Sequence, residues 1–524
     1  MQYLDGQNIM PMLKNGAKKI ELEIERINSL NVFPVPDGDT GTNMCLTING
    51  GISDITNEDE KSIGKLFKKI SKYMVMSARG NSGVILSQFF KGFADAVAEK
   101  EVIDKYDLVT ALNSGTKRSY KVVQVPTEGT ILTIMREAGT YVEQNINDYQ
   151  SIEDVLLNYT SKAKISLENT PNLLPCLKDA GVIDSGGAGF VTIFEGMLEA
   201  LDGKLLDDVK LKVEDLKIVG DYYLEFTLNI SKKYNSNDII EMKKQLNTLS
   251  EIIEFNENNL NVRLNTSQPS EIIKYCLQFG DFINLQMKPN KKIEINDTFC
   301  RQYKKYAIVA VASGEGIEQS LKDLGVDEII KGGQTMNPSS EDFVHAFEKL
   351  NSDYILVFPN NKNIFMAAEQ ACSMYSKAKA YVINSYTIDQ CYSALTMLDF
   401  SSDNLNEIVN NLELVINNVT SLAITYAIRD CVIDNLKINK GDCIALVNGN
   451  IVAANCSVSQ TFKDMLNKVV NLNEKEVMTL IYGKEMKEQD KSDIRNYLTC
   501  YYPNIEIGEI EGGQDIYYLF ASLE

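Results

Sequence analysis

The sequence contains no tryptophan and only one histidine, His345, among its 524 residues. A single histidine excludes any mechanism that needs two and any histidine-rich metal site. A Ser-His-Asp triad would have to use this residue. The surrounding segment EDFVHAFEKL, however, has the apolar spacing of an amphipathic helix. We therefore predict that His345 occupies a surface or half-buried position on a helix.

Paired cysteines, basic runs and long apolar runs are also missing. The ten cysteines, from Cys45 to Cys500, include no CxxC pair, so we predict reduced, structural thiols. A net charge of −20 without a local basic patch predicts a protein that does not bind nucleic acid. The sequence has no run of about 18 apolar residues, so we predict no transmembrane segment. The early Asp5 argues against a secretory signal. These absences favour a cytoplasmic protein.

Length and apolar periodicity predict three domains of different fold class, since one core rarely exceeds about 300 residues. Residues 1–204 show helical spacing, for example over 62–78 and 83–100, with glycine clusters between the helical segments. They predict an all-α domain with functional loops at helix ends. Residues 205–300 follow the β-α-β-β-α-β order of a ferredoxin-like α+β domain. Residues 301–524 alternate strands and helices, which predicts an α/β domain with a parallel sheet and a less regular final third.

The segment NVFPVPDGDTGTNM, residues 31–44, carries the sharpest local signal. Its two prolines exclude a helix interior, so the segment is a shaped loop. Asp37 and Asp39 flank Gly38, and two carboxylates this close repel each other unless a cation lies between them. Mg²⁺, which binds one or two carboxylates together with phosphate oxygens, is the simplest partner. An Asx-type turn before a helix explains the Asp-Gly-Asp pattern equally well by itself.

Three further glycine-rich loops lead into predicted helices: ARGNSGV (78–84), VPTEGTIL (125–132) and VIDSGGAGF (182–190). Free backbone N–H groups at such helix starts suit phosphate oxygens. Each loop alone is more often a plain helix cap. Together with the paired aspartates in one helical domain, they favour a nucleotide–magnesium site.

These four motifs resemble the nucleotide domain of the dihydroxyacetone kinase L-subunit family and, more closely, the catalytic subunit of bacterial fatty acid kinase. The segments KGGQTMNPSSED (331–342), FPNNKNI (358–364) and EGGQDIY (511–517) resemble stretches of that subunit's C-terminal domain. The resemblance therefore spans nearly the whole chain. It implies an eight-helix, barrel-like N-terminal domain that binds ATP and two Mg²⁺ ions, and a C-terminal domain that docks a partner.

The resemblance also implies the site residues. Asp37 and Asp39 match the family's Gly-Asp-Gly-Asp motif, with Pro36 in place of the first glycine, and would serve catalysis and bind metal. Asn31 stands nearest to a third, upstream aspartate when a one-residue shift is allowed, and it would ligate through its uncharged carbonyl oxygen. The residues implied near the nucleotide phosphates are Thr40, Thr42, Asn43, Gly80, Asn81, Ser82, Thr130 and Asp184.

The resemblance implies ATP-dependent phosphorylation of a fatty acid carboxylate that a separate acyl-binding protein presents, and a homodimeric enzyme. The acyl-phosphate product would feed phospholipid synthesis. A fatty acid with a carboxyl pKa of about 4–5 is already ionised near neutral pH. It needs no general base, which suits a histidine-poor domain.

Two departures and two alternatives qualify this interpretation. Some relatives carry a Cys and His-x-His cluster in the middle domain, where this chain has Arg263 and Asn265, so we predict no zinc. Gly314 and Gly316 follow a strand like a nucleotide motif, but a tight turn between strand and helix is favoured. A phosphotransferase for a small hydroxy-ketone stays open, although the extra domains disfavour it. A non-catalytic, nucleotide-binding scaffold stays open as well.

Overall fold

The chain divides into two compact units. One comprises Met1–Asp208 with Gln302–Glu524, and the other comprises Val209–Arg301. The helical and α/β regions, predicted as separate domains, thus pack together in one unit, and the three-domain division stays a prediction. The computed structural model describes residues 1–31, 38–53, 55, 60–206, 222–230, 250–256, 259–266, 269–289, 303–333, 337–400, 404–433 and 436–524.

The region up to residue 206 is helical, as predicted. In its described part, eight helices have at least 13 residues and three are shorter. The predicted barrel-like arrangement of eight helices stays a prediction. The helices are α1 (Gly6–Leu22), α2 (Ile24–Ser29), α3 (Thr40–Ile52), α4 (Ile63–Ser77), α5 (Gly80–Ala96), α6 (Lys105–Val122), α7 (Ile131–Gln144), α8 (Ile152–Glu168), α9 (Thr170–Leu173), α10 (Pro175–Ala180) and α11 (Ser185–Leu201).

Short polar side chains set where several of these helices begin. Asp5 accepts a hydrogen bond from the Asn8 backbone N–H (2.9 Å) at the start of α1. Ser151 and Asp154 form a reciprocal capping box at the start of α8. Such caps satisfy backbone N–H groups that have no partner inside the helix, and each stabilises a helix by about 1 kcal/mol.

An aromatic core joins α5, α8 and α11. The ring of Phe190 lies 5.1 Å from Phe89 and 4.8 Å from Phe194, and Tyr159 lies 5.1 Å from Phe194. All four side chains are buried. Because α5 and α11 both begin at predicted glycine-rich loops, this core positions two of the loops relative to each other.

The second unit contains a four-stranded antiparallel sheet in the order β2-β3-β1-β4. The described strands and helix follow the predicted order. The helix that this order places between β1 and β2 falls within residues 231–249, outside the described residues, so the complete ferredoxin-like unit stays a prediction. Arg263 and Asn265 lie in the third strand, opposite Glu225 and Tyr223. The elements are β1 (Tyr222–Ile230), β2 (Ser250–Asn256), β3 (Asn259–Thr266), α12 (Pro269–Cys276) and β4 (Gly280–Pro289).

The α/β region begins with a parallel sheet in the order β6-β5-β7-β8, which confirms the predicted alternation of strands and helices. His345 lies on the helix α14 with 55% of its side chain exposed, as predicted. The elements are β5 (Lys304–Ala312), α13 (Glu315–Asp323), β6 (Glu328–Lys331), α14 (Ser340–Glu348), β7 (Ser352–Phe358), α15 (Phe365–Met374), β8 (Lys379–Val382) and α16 (Ile388–Thr396).

The final third forms a six-stranded mixed sheet in the order β13-β12-β9-β16-β14-β15, beside a short β10-β11 hairpin. One buried cluster contains side chains from both this sheet and the parallel sheet, so the two sheets share a core. The elements are α17 (Leu405–Asn418), β9 (Thr420–Tyr426), β10 (Cys431–Ile433), β11 (Leu436–Ile438), β12 (Cys443–Val447), β13 (Asn450–Asn455), α18 (Val458–Leu466), β14 (Val477–Tyr482), α19 (Glu488–Tyr501), β15 (Glu506–Glu511) and β16 (Leu519–Leu523).

The predictions of unpaired cysteines and of no transmembrane segment can be compared with the described part of the chain. The nine cysteines that the structure describes are all free thiols. Within the described ranges, no helix is both long enough and apolar enough to cross a bilayer.

The aromatic core generates a stability prediction. Phe190→Ala removes a fully buried ring that contacts three other rings, and we expect it to lower the free energy of unfolding by about 3–5 kcal/mol. Urea unfolding followed by far-UV circular dichroism measures the change. The matched control is Leu157→Ala on α8, whose side chain is 55% exposed, and it should change stability by less than about 0.5 kcal/mol. Equal effects of the two substitutions would contradict the assigned core.

Candidate functional site

Three of the four helix starts at the predicted loops meet at one cavity of about 270 Å³. Three helices, α3, α5 and α11, present their first residues to it. Polar side chains from these helix starts face an apolar wall contributed by the α9–α10 segment. The lining residues are Leu30, Asn31, Asp39, Thr40, Asn43, Asn81, Ser82, Leu174, Cys176, Leu177, Asp184, Ser185 and Asn363.

The start of α3 brings Asp39 to the cavity. Asp39 is the residue before the helix and is only 8% exposed. The side chain of Asn28, on α2, holds this helix start in place. Its Oδ1 accepts hydrogen bonds from the backbone N–H groups of Gly41 (2.7 Å) and Thr42 (3.3 Å). Its Nδ2 donates to the Thr42 hydroxyl (3.1 Å), so the Thr42 side chain helps to hold the start of α3 in place.

The start of α5 packs tightly against α3. Gly80 has φ = +58°, a left-handed conformation that favours glycine. A Cβ at this position would lie 2.5 Å from Asn43 Nδ2, which is closer than real side chains approach. Glycine therefore lets the α5 backbone reach Asn43 and places Asn81 and Ser82 at the cavity.

The start of α11 contributes Asp184, which caps the helix. Its Oδ2 accepts a hydrogen bond from the Gly187 backbone N–H (2.7 Å). Burial raises the pKa of the Asp184 carboxyl to about 6, while the backbone N–H groups of Gly187 and Ile131 act in the opposite direction. Ile131 is the first residue of α7, so the fourth predicted loop contacts the site through its backbone. A cation bound nearby would stabilise the ionised form of Asp184.

The α/β region also contributes to this site. Asn337, which is 2% exposed, donates a hydrogen bond from Nδ2 to Asp39 Oδ2. Arg79 donates to the Asn337 carbonyl oxygen (2.8 Å), and its Nη1 lies 3.7 Å from Asp342 Oδ2. Arg79 and Ser339 form an isolated antiparallel bridge between the two regions. The carboxylate predicted at the centre of the site is therefore held by a residue 298 positions away.

The donor atoms around Asp39 fit a hard cation. Asn81 Oδ1 and Asn337 Oδ1 are buried and make no hydrogen bond to any part of the chain that the structure describes. Amide and carboxylate oxygens are the ligands that Mg²⁺ prefers. No group of three or more His, Cys, Asp or Glu residues that could hold a metal lies within the described ranges. Asp37, the other predicted carboxylate, lies outside them.

The structure brings together most of the predicted site residues. The predicted residues that line the cavity are Asn31, Asp39, Thr40, Asn43, Asn81, Ser82 and Asp184. Gly80 adjoins it through Asn81. Thr130 does not line it, and the Thr130 hydroxyl donates to the Thr127 carbonyl oxygen (2.7 Å).

Sequence reasoning missed Asn28, Asn337 and Asn363 as parts of the site. Asn337 and Asn363 belong to the segments 331–342 and 358–364, which resemble a C-terminal domain but had no predicted role in the nucleotide site. Three asparagines among the seven residues 358–364 were the available signal for Asn363, whereas residues 331–342 contain a single asparagine. Composition could not show that these segments contact the helical region.

Comparison with solved structures gives distant likenesses. The dihydroxyacetone kinase from C. freundii in complex with AMP-PNP and Mg²⁺ is 19% identical, with a TM-score of 0.30, and 37% of this chain and 33% of that chain are covered. The Streptococcus pneumoniae fatty acid kinase B3 protein loaded with linoleic acid is 12% identical, with a TM-score of 0.28, and the coverage is 42% and 99%. These TM-scores are too low to establish a shared fold.

Sequence comparison is more informative. The family model for the DAK2 domain matches residues 34–199, and the model for the FakA-like C-terminal domain of fatty acid kinases matches residues 307–524. Uncharacterized proteins of Staphylococcus aureus strains USA300 and MRSA252 are each 34% identical over 548 aligned residues, which cover 99% of this chain and 99% of each relative. The chain therefore belongs to the kinase-related FakA-like family, and it carries a DAK2 domain followed by a FakA-like C-terminal domain.

Proposed function

We propose that this protein transfers the γ-phosphoryl group of ATP to the carboxylate of a fatty acid, which a separate acyl-binding protein presents. One observation carries the proposal. Seven residues predicted from separate loops line a single cavity, and Asp39 lies buried within it. Family membership supports a kinase that acts in fatty acid handling.

ATP would bind with its phosphates at the helix starts and its base against the apolar wall. The first turns of α3, α5 and α11 present the positive ends of their helix dipoles to the cavity, which favours phosphate oxygens. The hydroxyls of Thr40 and Ser82 supply hydrogen-bond donors. Leu174 and Leu177 contribute apolar side chains to the same cavity and would contact the adenine ring.

The oxygen donors present suit Mg²⁺, and we propose that two ions bind. Asp37, Asp39 and Asn31 would hold them, with the buried amide oxygens of Asn81 and Asn337 as further donors. When bound, the ions neutralise phosphate charge and polarise the transferred group. The chain's own contribution is to orient the Asp39 carboxylate through the Asn337 hydrogen bond.

A carboxylate acceptor suits the side chains around the cavity. None of the described residues that line it is histidine, lysine or arginine. An alcohol acceptor must lose a proton, so a base accelerates its reaction. A fatty acid is already ionised, and its oxygen attacks the phosphorus while the phosphorus–oxygen bond to ADP breaks. The products are acyl-phosphate and ADP, and the step needs only positioning and charge neutralisation.

The proposal extends to partners and location. The α/β region contacts the nucleotide cavity through Asn337 and Asn363, so an acyl-binding protein docked on this region would approach the γ-phosphate. We propose that the enzyme acts in the cytoplasm as a homodimer and that its acyl-phosphate enters phospholipid synthesis.

The central test is ATP consumption with Mg²⁺, a fatty acid and its cognate acyl-binding protein, with each component omitted in turn. Asp39→Asn removes the negative charge that binds metal, and we expect turnover to fall by about 100-fold or more. The matched control is Asp148→Asn, an exposed carboxylate outside the cavity, which should keep full turnover.

Other outcomes discriminate between the alternatives. Turnover that dihydroxyacetone supports and fatty acid does not would replace the proposal with a hydroxy-ketone kinase. ATP binding without turnover on either acceptor would identify a scaffold. Full activity of the Asp39→Asn variant would remove Asp39 from the mechanism.

The contribution of the α/β region is tested separately. Asn337→Ala removes the hydrogen bond to Asp39 while the backbone carbonyl that contacts Arg79 remains. We expect kcat to fall about tenfold, since losing the partner of a buried charged group costs about 1–3 kcal/mol. Steady-state kinetics measure the change. Asn411→Ala, an exposed position on α17, serves as the control. An unchanged kcat would show that the α/β region does not orient the catalytic carboxylate.

A further inference from the structure

A second and larger cavity, of about 770 Å³, lies within the α/β region. It opens at the carboxyl ends of the parallel strands β5 and β7 and extends to the mixed sheet. Ligands of α/β proteins bind in this position, and the volume lies in the range of small-molecule sites. The proposed phosphoryl transfer at Asp39 does not use this cavity.

The inner wall of the cavity is apolar. Three helices and three strands of the mixed sheet contribute side chains that are each at most 9% exposed. The helices and the strands line the same space with hydrocarbon. An elongated alkyl chain is the kind of group that such a space removes from water. The side chains on which this rests are Ile317, Ile388, Ile416, Ala423, Leu446 and Phe520.

One end of the cavity favours an anion. The helices α15 and α16 both begin there, and neither start has a side-chain cap, so the positive ends of their dipoles lie at this end of the cavity. Asp389 lies in the first turn of α16 and is buried, but it does not line the cavity. Burial raises the pKa of its carboxyl to about 7, so the carboxyl carries less negative charge near neutral pH. The start of α13 does not contribute, because its Gly316 and Ile317 N–H groups donate to the Gly512 carbonyl oxygen (3.1 and 3.2 Å) in a tight turn.

Lys362 supplies a positive charge at the same end. Its Nζ lies over the Tyr386 ring, 5.7 Å from the centroid. No carboxylate among the described residues lies within 4.0 Å of this Nζ, whereas Lys331, the other lysine of the lining, contacts Glu318 (3.4 Å). Lys362 is therefore available to pair with an anionic head group.

A buried polar atom also lines this cavity without a partner. Gln514, which is 5% exposed, donates from Nε2 to the Ile481 carbonyl oxygen (3.0 Å). Its Oε1 is buried and accepts no hydrogen bond from the part of the chain that the structure covers. A carboxylate is itself an acceptor and cannot supply the missing donor, so Gln514 is not counted among the head-group contacts.

The charged end adjoins the nucleotide cavity. Asn363 lines both cavities, and it follows Lys362 directly in the chain. A head group bound at Lys362 would thus lie at the segment that the two cavities share.

We propose that this cavity binds a long-chain fatty acid anion, with the alkyl chain between the two sheets and the carboxylate at Lys362 and the starts of α15 and α16. The alkyl tail follows from the wall of the cavity, and the carboxylate head rests on the proposed function. The chain would therefore carry an acyl site of its own, in addition to the one on the separate acyl-binding protein.

The test is isothermal titration of the full chain with hexadecanoate below its micellar concentration, without ATP and without the acyl-binding protein. We expect one site per chain. Lys362→Gln should weaken binding about tenfold, which corresponds to the loss of one charge-assisted contact. The matched control is Lys379→Gln, an exposed lysine on β8 outside the cavity, which should bind as the parent does.

Ligand variants test the tail and the head with the parent protein, so they do not depend on the folding of a variant. Dodecanoate should bind more weakly by about tenfold or more, because four fewer methylene groups are buried. Hexadecanol, which has the same tail without the charge, should bind about tenfold more weakly. Ala423→Phe, which fills the cavity, should abolish binding.

The outcomes separate this site from the proposed function. Absence of hexadecanoate binding, or equal affinity in the parent, Lys362→Gln and Ala423→Phe, would overturn the acyl site whatever the turnover. Hexadecanol binding as tightly as hexadecanoate would overturn the anionic head. Normal hexadecanoate binding by Asp39→Asn, together with a parent that shows no fatty-acid-dependent turnover, would reject the proposed function and leave the acyl site in place.

Discussion

The buried carboxylate of Asp39 is the constraint on which the arrangement of this protein depends. Removing a carboxylate from water costs several kcal/mol unless hydrogen bonds or a cation compensate. The helical region places Asp39 at the start of α3, and the α/β region provides the Asn337 side chain that donates to it. The need to compensate one charge therefore ties two regions of different fold class into a single compact unit.

The contacts around this charge form a continuous seam. Arg79 lies directly before α5, and it joins the segment that carries Asn337 through a hydrogen bond and a backbone bridge. The buried Gln370 side chain on α15 donates to the Val75 carbonyl oxygen (2.8 Å) at the end of α4. Because these bonds cross between regions, the position of the α/β region and the geometry of the nucleotide cavity are not independent.

The sequence predicted local elements well because their causes are local. Prolines and glycines in the loops, and apolar periodicity in the helices, predicted where α5 and α11 begin. Short continuous apolar runs predicted the parallel strands β5 and β7. The glycine-rich loops favoured a nucleotide site, and the family resemblance implied Asn81, Ser82 and Asp184 within them. Asn337 could not be found in this way, because its contact with Asp39 spans 298 positions. Apolar periodicity predicts local elements and not contacts between residues so far apart in the chain.

The first unit is built from two separate segments of the chain, and this affects the order in which its parts are synthesised. The residues before 209 and those after 301 belong to one compact unit, and the residues between them form another. A ribosome therefore releases α1–α11 and the whole middle unit before Asn337 is synthesised. Domains fold as their residues emerge, and contacts between distant residues form slowly. The Asp39 carboxylate thus spends the early life of each chain without its partner, and the nucleotide site cannot be completed before the segment that carries Asn337 has emerged.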